Sequence, residues 1–279
     1  MHNKSGYITA SYDIRHQIFV ILFPEKILPM RYFLKLSYKG TNYHGWQLQK
    51  NANTVQAEVE NALSVLAGVP VKTTGAGRTD TGVHARVFFA HFDSAVGFEG
   101  EAKDKMIYRM NSILPRDIVI HDLLQVHSNA NARFDAISRS YHYYISTKKN
   151  PFYEGQVYYF YNLPDLELMN EGARIIESTS DFTSFSKTGS SSKTNHCKVF
   201  EAKWETSGDL IIFRIKADRF LRNMVRAIAG TLIEAGLNKF PLDHIYDIVK
   251  SKNRSNAGYS LPAEGLFLEQ IEYPPEIFI

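Results

Sequence analysis

Two stretches, RYFLKLSY (Arg31–Tyr38) and, after a short loop, NTVQAEVENALSVLAG (Asn53–Gly68), decide the fold class. In the first, Tyr32, Leu34, Leu36 and Tyr38 take every second position, the period of a strand with one buried face. In the second, Val55, Val59, Ala62, Leu63 and Leu66 recur at helical spacing, Asn53 or Thr54 can cap the start, and Gly68 ends it. Working outward, VPVKTT (Val69–Thr74) predicts a short strand running into a glycine-rich loop, and Val87–Phe92 another strand. Lys103–Leu114 repeats apolar residues at helical spacing through Met106, Met110 and Ile113, and DIVIHDLL (Asp117–Leu124) is a further strand. The order is strand, helix, strand, strand, helix, strand.

The second half has the same grammar. RSYHYYIS (Arg139–Ser146) predicts a strand with Tyr141, Tyr143 and Ile145 on one face. A helix over Leu166–Ile176 follows, then strands over Cys197–Trp204 and Leu210–Ala217. A long helix is expected from Phe220 towards Ala235 with Gly236 ending it, another over Leu242–Val249, and a closing strand in GLFLEQIEY (Gly265–Tyr273). The expected class is α+β, with two ferredoxin-like, split β-α-β modules packed side by side. Residues 30–135 would form an N-terminal domain carrying the glycine-rich loop and 136–279 a C-terminal domain. Residues 1–29 read as an extension outside the core.

With 279 residues, 44% hydrophobic and 22% charged, the chain can bury two cores. Its 18 Phe and 16 Tyr exceed what cores of this size require, leaving rings to stack on bases. The net charge of +3 neither demands nor excludes a nucleic-acid partner, so local clustering decides. A single cysteine, Cys197, rules out an intramolecular disulfide or a cysteine-cluster metal site, and fits a reducing compartment. No apolar stretch approaches the ~20 residues that span a membrane. Ile18–Phe23 is shorter than the ~7–15 apolar residues of a signal peptide and lacks a small-residue cleavage pattern.

GAGRTDTGVHARV (Gly75–Val87) is the most unusual segment: three glycines with Arg78, Asp80, His84 and Arg86 between two strands. Gly75, Gly77 and Gly82 let a substrate approach the main chain. On spacing alone it reads equally as a hairpin with a solvated ion pair. Asp80-Thr81-Gly82 spells the aspartic-protease triplet, but such proteases need two facing carboxylates, and no second Asp-Thr-Gly or Asp-Ser-Gly occurs. Asp80 and His84 stand four apart across a glycine with no matching ligands elsewhere, so no metal is expected and His84 reads as a hydrogen-bonding loop residue.

GAGRTDTGVHA resembles the signature loop of the TruA-type tRNA pseudouridine synthases. The likeness extends, in order, through YKGTNYHGWQLQ with Val55-Gln56, NSILPRDI, ARFDAISRSYHYYI, DFTSFSK, FLRNMVRAIAGTLIEAG and LPAEGLFL, from Met30 to Leu268. Two positions depart from the family pattern: Asn131 stands where histidine is usual ahead of ARF, and Leu261 where alanine is usual. Neither is among the reactive residues.

The resemblance implies a tRNA isomerase with the pseudouridine synthase fold and no cofactor. Its substrate would be uridines of the anticodon stem-loop, at family positions 38–40, and it would act as a cytoplasmic homodimer. It implies that Asp80 is the catalytic carboxylate and that Arg226 pairs with it. Tyr141 would lie against the target uracil, and Arg78 would fill the gap left by the extruded nucleotide. Arg214, Lys216, Arg219 and Arg222 stand with Arg226 against a single Asp218, and Arg219, Arg222 and Arg226 are spaced to share one helix side. Beside such a site they would contact phosphates, extended by Lys148, Lys149, Lys187 and Lys193 in loops. The competing readings are a non-catalytic protein with two RRM-like modules, which RVFFAHF imitates loosely, and a hydrolase built on Asp80.

Overall fold

The computed structural model describes residues 29–189 and 193–279, and the backbone of residues 11–14 and 17–20. Strands β1 (Ser11–Ile14) and β2 (Gln17–Val20) pair with each other in a separate two-stranded ladder; the rest of the extension expected over residues 1–29, up to residue 28, lies outside the described residues.

The body is a mixed α+β structure on one sheet. Its first half is β3 (Met30–Tyr38), α1 (Val55–Ala67), β4 (Thr74–Gly75), β5 (His84–Ser94), α2 (Glu101–Ile113) and β6 (Ile118–Val126). The second is β7 (Ser138–Ser146), β8 (Tyr158–Tyr159), α3 (Leu166–Ser178), β9 (Val199–Ser207), β10 (Leu210–Ala217), α4 (Met224–Gly236), α5 (His244–Ser251) and β11 (Leu266–Glu272). Strand order across the sheet is β6-β3-β5-β11-β7-β10-β9, with β4 on β5 and β8 on β7. The two halves meet where β11 pairs parallel to β5, Phe267 opposite His84 and Leu268 opposite Ala85.

Local chemistry set most elements as read. Thr54 accepts the Ala57 N–H at 3.3 Å and Gly68 closes α1 in a left-handed conformation, φ 70°. Tyr32, Leu34, Leu36 and Tyr38 are buried on one core, and Tyr143 and Ile145 on the other, as their alternation requires. Tyr141 packs partly against both cores and so stands at the seam.

Three expectations need correction. The strand over Val69–Thr74 shrinks to β4, because the N–H groups of Val71 and Thr73 donate to the side chains of Ser64 and Glu60 on α1 instead of to a ladder. The helix expected from Phe220 starts at Met224, because Asn223 sits left-handed at φ 67° and breaks any earlier turn. Arg219 and Arg222 therefore do not share a helix side with Arg226. Gly236 is the last residue of α4 rather than a cap beyond it. Among the described residues no helix is long and apolar enough to cross a membrane.

Candidate active site

The loop from Ala76 to Val83 is held by the segment after β3. The Thr79 hydroxyl meets Tyr38 Oη at 2.9 Å and accepts the Trp46 N–H at 3.0 Å, while Gly82 N–H donates to the Tyr43 carbonyl at 3.2 Å. Two close approaches make glycine obligatory. A Cβ on Gly45, whose φ is +83°, would lie 2.1 Å from the Thr79 carbonyl oxygen, and one on Gly75 2.2 Å from the Trp46 indole nitrogen. Gly77, also read as conformationally needed, is neither crowded nor at positive φ.

His84 locks the far side. Gly40 N–H donates to its Nδ1 at 2.9 Å, so Nε2 carries the proton and donates to the Glu264 carbonyl at 3.0 Å. It is a hydrogen-bonding strut, as its sequence context implied, but it stands at the start of β5, laddered to Phe267, and not in the loop; burial pushes its pKa down to about 4. As pH falls, the unfolded chain, with a histidine near 6.5, takes up a proton that the folded one refuses. Stability from this group is complete above about pH 6.5 and lost as pH falls towards 4, by on the order of 3 kcal/mol. Urea midpoints measured across that window should fall more steeply for the native protein than for His84→Gln, whose side chain does not titrate.

Asp80 emerges from this scaffold at the seam of the two halves. Its Oδ1 lies 3.5 Å from Arg222 Nε and its Oδ2 3.4 Å from Arg226 Nη1. Arg226 is 19% exposed against 58% for Arg222, so it is the partner shielded from water and the stronger influence. Arg226 meets Asp80 through Nη1 alone and not as a bidentate pair, its Nε donating instead to the Leu261 carbonyl at 2.5 Å. Each carboxylate oxygen thus faces a different guanidinium at a distance longer than a tight charged hydrogen bond. Leu261, a position of departure from the family pattern, meets Arg226 through its backbone: its N–H also donates to the Arg226 carbonyl at 3.2 Å. The segment 259–261 can lie this close to α4 because Gly230 has no side chain; a Cβ there would sit 1.9 Å from the Tyr259 oxygen.

Asp80, Thr81, Lys187, Arg222, Asn223, Arg226 and Ala263 line an open cavity of about 320 Å³. Tyr141 stands nearby on β7, its ring edge-on to Phe220 at 5.1 Å. Burial, with the charge of Asp80 adding to it and Arg139 opposing, pushes the Tyr141 pKa up to about 12, so at neutral pH it carries its proton. Arg78 is exposed and makes no ion pair among the described residues.

The remaining basic residues divide by sheet face. Arg214 and Lys216 pair in register with His142 and Ser140, the neighbours of Tyr141, and so stand on the opposite face from it. They are occupied there, Arg214 with Glu205 at 2.6 Å and Lys216 with Glu272 at 2.8 Å. Arg222 and Lys187 line the cavity; Arg219 lies half-buried in the turn before α4. Lys148 is bound to Asp209 at 2.6 Å.

One residue escaped sequence reading. Arg139 donates to four main-chain carbonyls, Ala136 at 3.2 Å, Asp218 at 3.0 Å, Ala76 at 3.1 Å and Arg133 at 2.7 Å. It ties the Asp80 loop to two others. Only its place two residues before Tyr141 marked it, since alternation put both on one face. Among the described residues no three His, Cys, Asp or Glu side chains converge as a metal site.

The fold and site define an α+β protein with a carboxylate between two arginines in an open, cationic cavity. A family profile described as tRNA pseudouridine synthase matches residues 174–274. The chain is 48% identical over 251 residues to tRNA pseudouridine synthase A of Porphyromonas gingivalis, covering 89% of this chain and 99% of that one. It is 46% identical over 250 residues to the protein of the same name from Parabacteroides distasonis, covering 89% and 98%. The protein of that name from Syntrophomonas wolfei is 42% identical over 245 residues, covering 87% and 97%. The chain belongs to the tRNA pseudouridine synthase family.

Proposed function

We propose that this protein isomerises uridine to pseudouridine in tRNA, at the anticodon stem-loop, with Asp80 as the catalytic residue. The observation that carries the reading is the Asp80 carboxylate held between Arg222 and Arg226 at the seam of the two halves. The reaction breaks the bond from C1′ to N1, turns the uracil and joins C5 to C1′; C5 gives up a proton and N1 gains one. Nothing is oxidised and no external group enters, so one carboxylate suffices, either attacking C1′ or removing a ribose proton. Two guanidiniums face that carboxylate, one on each oxygen, and hold its orientation. Tyr141, protonated at neutral pH, packs against the uracil and passes a proton. Arg78, exposed and without an ion pair among the described residues, enters the space left by the extruded nucleotide. Arg222 and Lys187 bind phosphate at the cavity mouth.

The strand orders support reading each half as one split β-α-β module, over residues 30–135 and 136–279. In each, the fourth strand flanks the first, then come the third and the second: β6-β3-β5-β4 and β11-β7-β10-β9. A cytoplasmic homodimer belongs to the same reading and is checked by light scattering of the purified protein.

Arg226→Ala should reduce turnover about a hundredfold while weakening tRNA binding far less, because the group acts on Asp80 and not on the RNA. Arg226→Lys should recover only part of the loss, lacking the fork that reaches Leu261 and Asp80 together. Single-turnover rates and affinities separate the two effects. The deciding experiment is pseudouridine mapping in tRNA from cells with and without the gene. Anticodon stem-loop uridines should remain unmodified in its absence; identical maps would reject the reading.

A further inference from the structure

Three loops converge on the Arg139 guanidinium, and two of them share one nitrogen. Nη2 donates to the Ala76 carbonyl at 3.1 Å and to the Arg133 carbonyl at 2.7 Å. The turn over residues 131–137 is therefore fixed against the loop that carries Asp80. Arg78 follows Ala76 by two residues, and Phe134 follows Arg133 by one.

That turn is rigid. Asn131 Oδ1 accepts the N–H groups of Arg133 and Phe134 at 2.9 and 3.2 Å, Asp135 Oδ2 accepts the Asn131 N–H at 2.7 Å, and Asp135 N–H donates to the Asn131 carbonyl at 3.1 Å. What it displays is apolar and exposed. Phe134 is 75% exposed and Ile137 53%, and the Arg133 guanidinium lies over the Phe134 ring at 5.3 Å. Among the described residues neither Arg133 nor Arg78 forms an ion pair. A phenylalanine so exposed adds little to the core, so the ordering of this turn calls for another account.

We propose that Phe134 and Arg133 form a stacking platform for a nucleobase of the RNA substrate next to the target uridine, with Arg133 also reaching the adjacent phosphate. The proposal rests on the tRNA-modifying reading of the Asp80 site and names where the flanking strand lies. Extruding one nucleotide opens a base face on each side of the gap, more than the single Arg78 side chain covers. An exposed ring supplies that partner for any base, since every base has a π-face. The Arg133 guanidinium over the ring, in no ion pair among the described residues and on a turn that Arg139 ties to the Asp80 loop, fits a phosphodiester strand and not an apolar protein surface. Asn131 thereby has a role of its own, in setting the angle at which the ring is presented.

The test is the affinity of the full-length protein for a tRNA transcript, by fluorescence anisotropy over a series of salt concentrations. Phe134→Ala should raise Kd about tenfold with an unchanged melting temperature, and Phe134→Trp should restore Kd to within about twofold. Arg133→Ala should reduce the slope of log affinity against log salt by about one. A native Kd in Phe134→Ala, a lowered melting temperature accounting for its loss, or a Trp variant as weak as the Ala variant would each overturn the platform. The parent reading fails separately. A wild-type protein whose affinity depends on Phe134 but which forms no pseudouridine overturns the Asp80 assignment and leaves the platform standing. An active enzyme whose affinity ignores Phe134 overturns the platform alone.

Discussion

Asp80→Asn protein should still bind tRNA yet form pseudouridine at least about a thousandfold more slowly than the native enzyme, as expected when a reacting group is removed. Asparagine matches aspartate in size, so the loop anchored by Thr79 and Gly82 need not move. What it lacks is the charge. An amide neither attacks C1′ nor removes a ribose proton, and it leaves Arg222 and Arg226 without their counter-ion in the cavity. Two guanidiniums freed of a carboxylate attract phosphate more strongly, so affinity for tRNA should hold or rise. Tritium release from C5-labelled uridine in tRNA reads the chemistry, and anisotropy reads the binding. Undiminished release rejects Asp80 as the reacting carboxylate; loss of both binding and release shows instead a broken fold. The same pair of measurements separates an isomerase from a protein that only binds RNA, whose affinity would be its whole activity.

Gly45→Ala is expected to have the largest effect among substitutions outside the cavity. The backbone there is left-handed at φ +83°, which costs an L-residue about 1 kcal/mol, and the new methyl group would lie 2.1 Å from the Thr79 carbonyl. A carbonyl belongs to the main chain and cannot swing away as a side chain would. The loop must shift, and Asp80 is the next residue. Destabilisation of about 3 kcal/mol, a melting temperature lower by roughly 6–12 °C, and a turnover reduced at least about tenfold at temperatures where the protein is folded are the expected results. Gly77→Ala is the control within the same loop: nothing lies within 4 Å of the added carbon and its φ is not positive, so its melting temperature should be close to native. If Gly45→Ala melts and turns over like the native protein, the loop is not held from that side.

Much of the fold was legible because its determinants are local. The alternation in Arg31–Tyr38, the capped helix after Thr54 and the Tyr141, Tyr143, Ile145 face each follow from periodicity and end chemistry within a few residues. Reading failed where one residue's conformation broke a pattern that its neighbours continued. Asn223 is one of the few non-glycine residues that take a left-handed backbone readily, but the apolar pattern runs on through it, and its conformation moves the start of α4 to Met224. That single feature takes Arg222 off the helix and turns it towards Asp80. In the same way, nothing local says that Arg214 and Lys216 point away from Tyr141; their registration against β7 does.

By itself the sequence determined which segments are strands and helices, that a glycine-rich loop carries one acid among several bases, and that the chain contains the ordered blocks of its family. Those properties depend on residues close in the chain. Only the tertiary structure decided that Asp80 meets two arginines more than 140 residues away, that Arg226 reaches it through one nitrogen while its Nε goes to Leu261, and that Arg139 joins three loops. Each depends on the parallel seam between β5 and β11, which brings distant segments within hydrogen-bonding range and leaves no trace in local spacing.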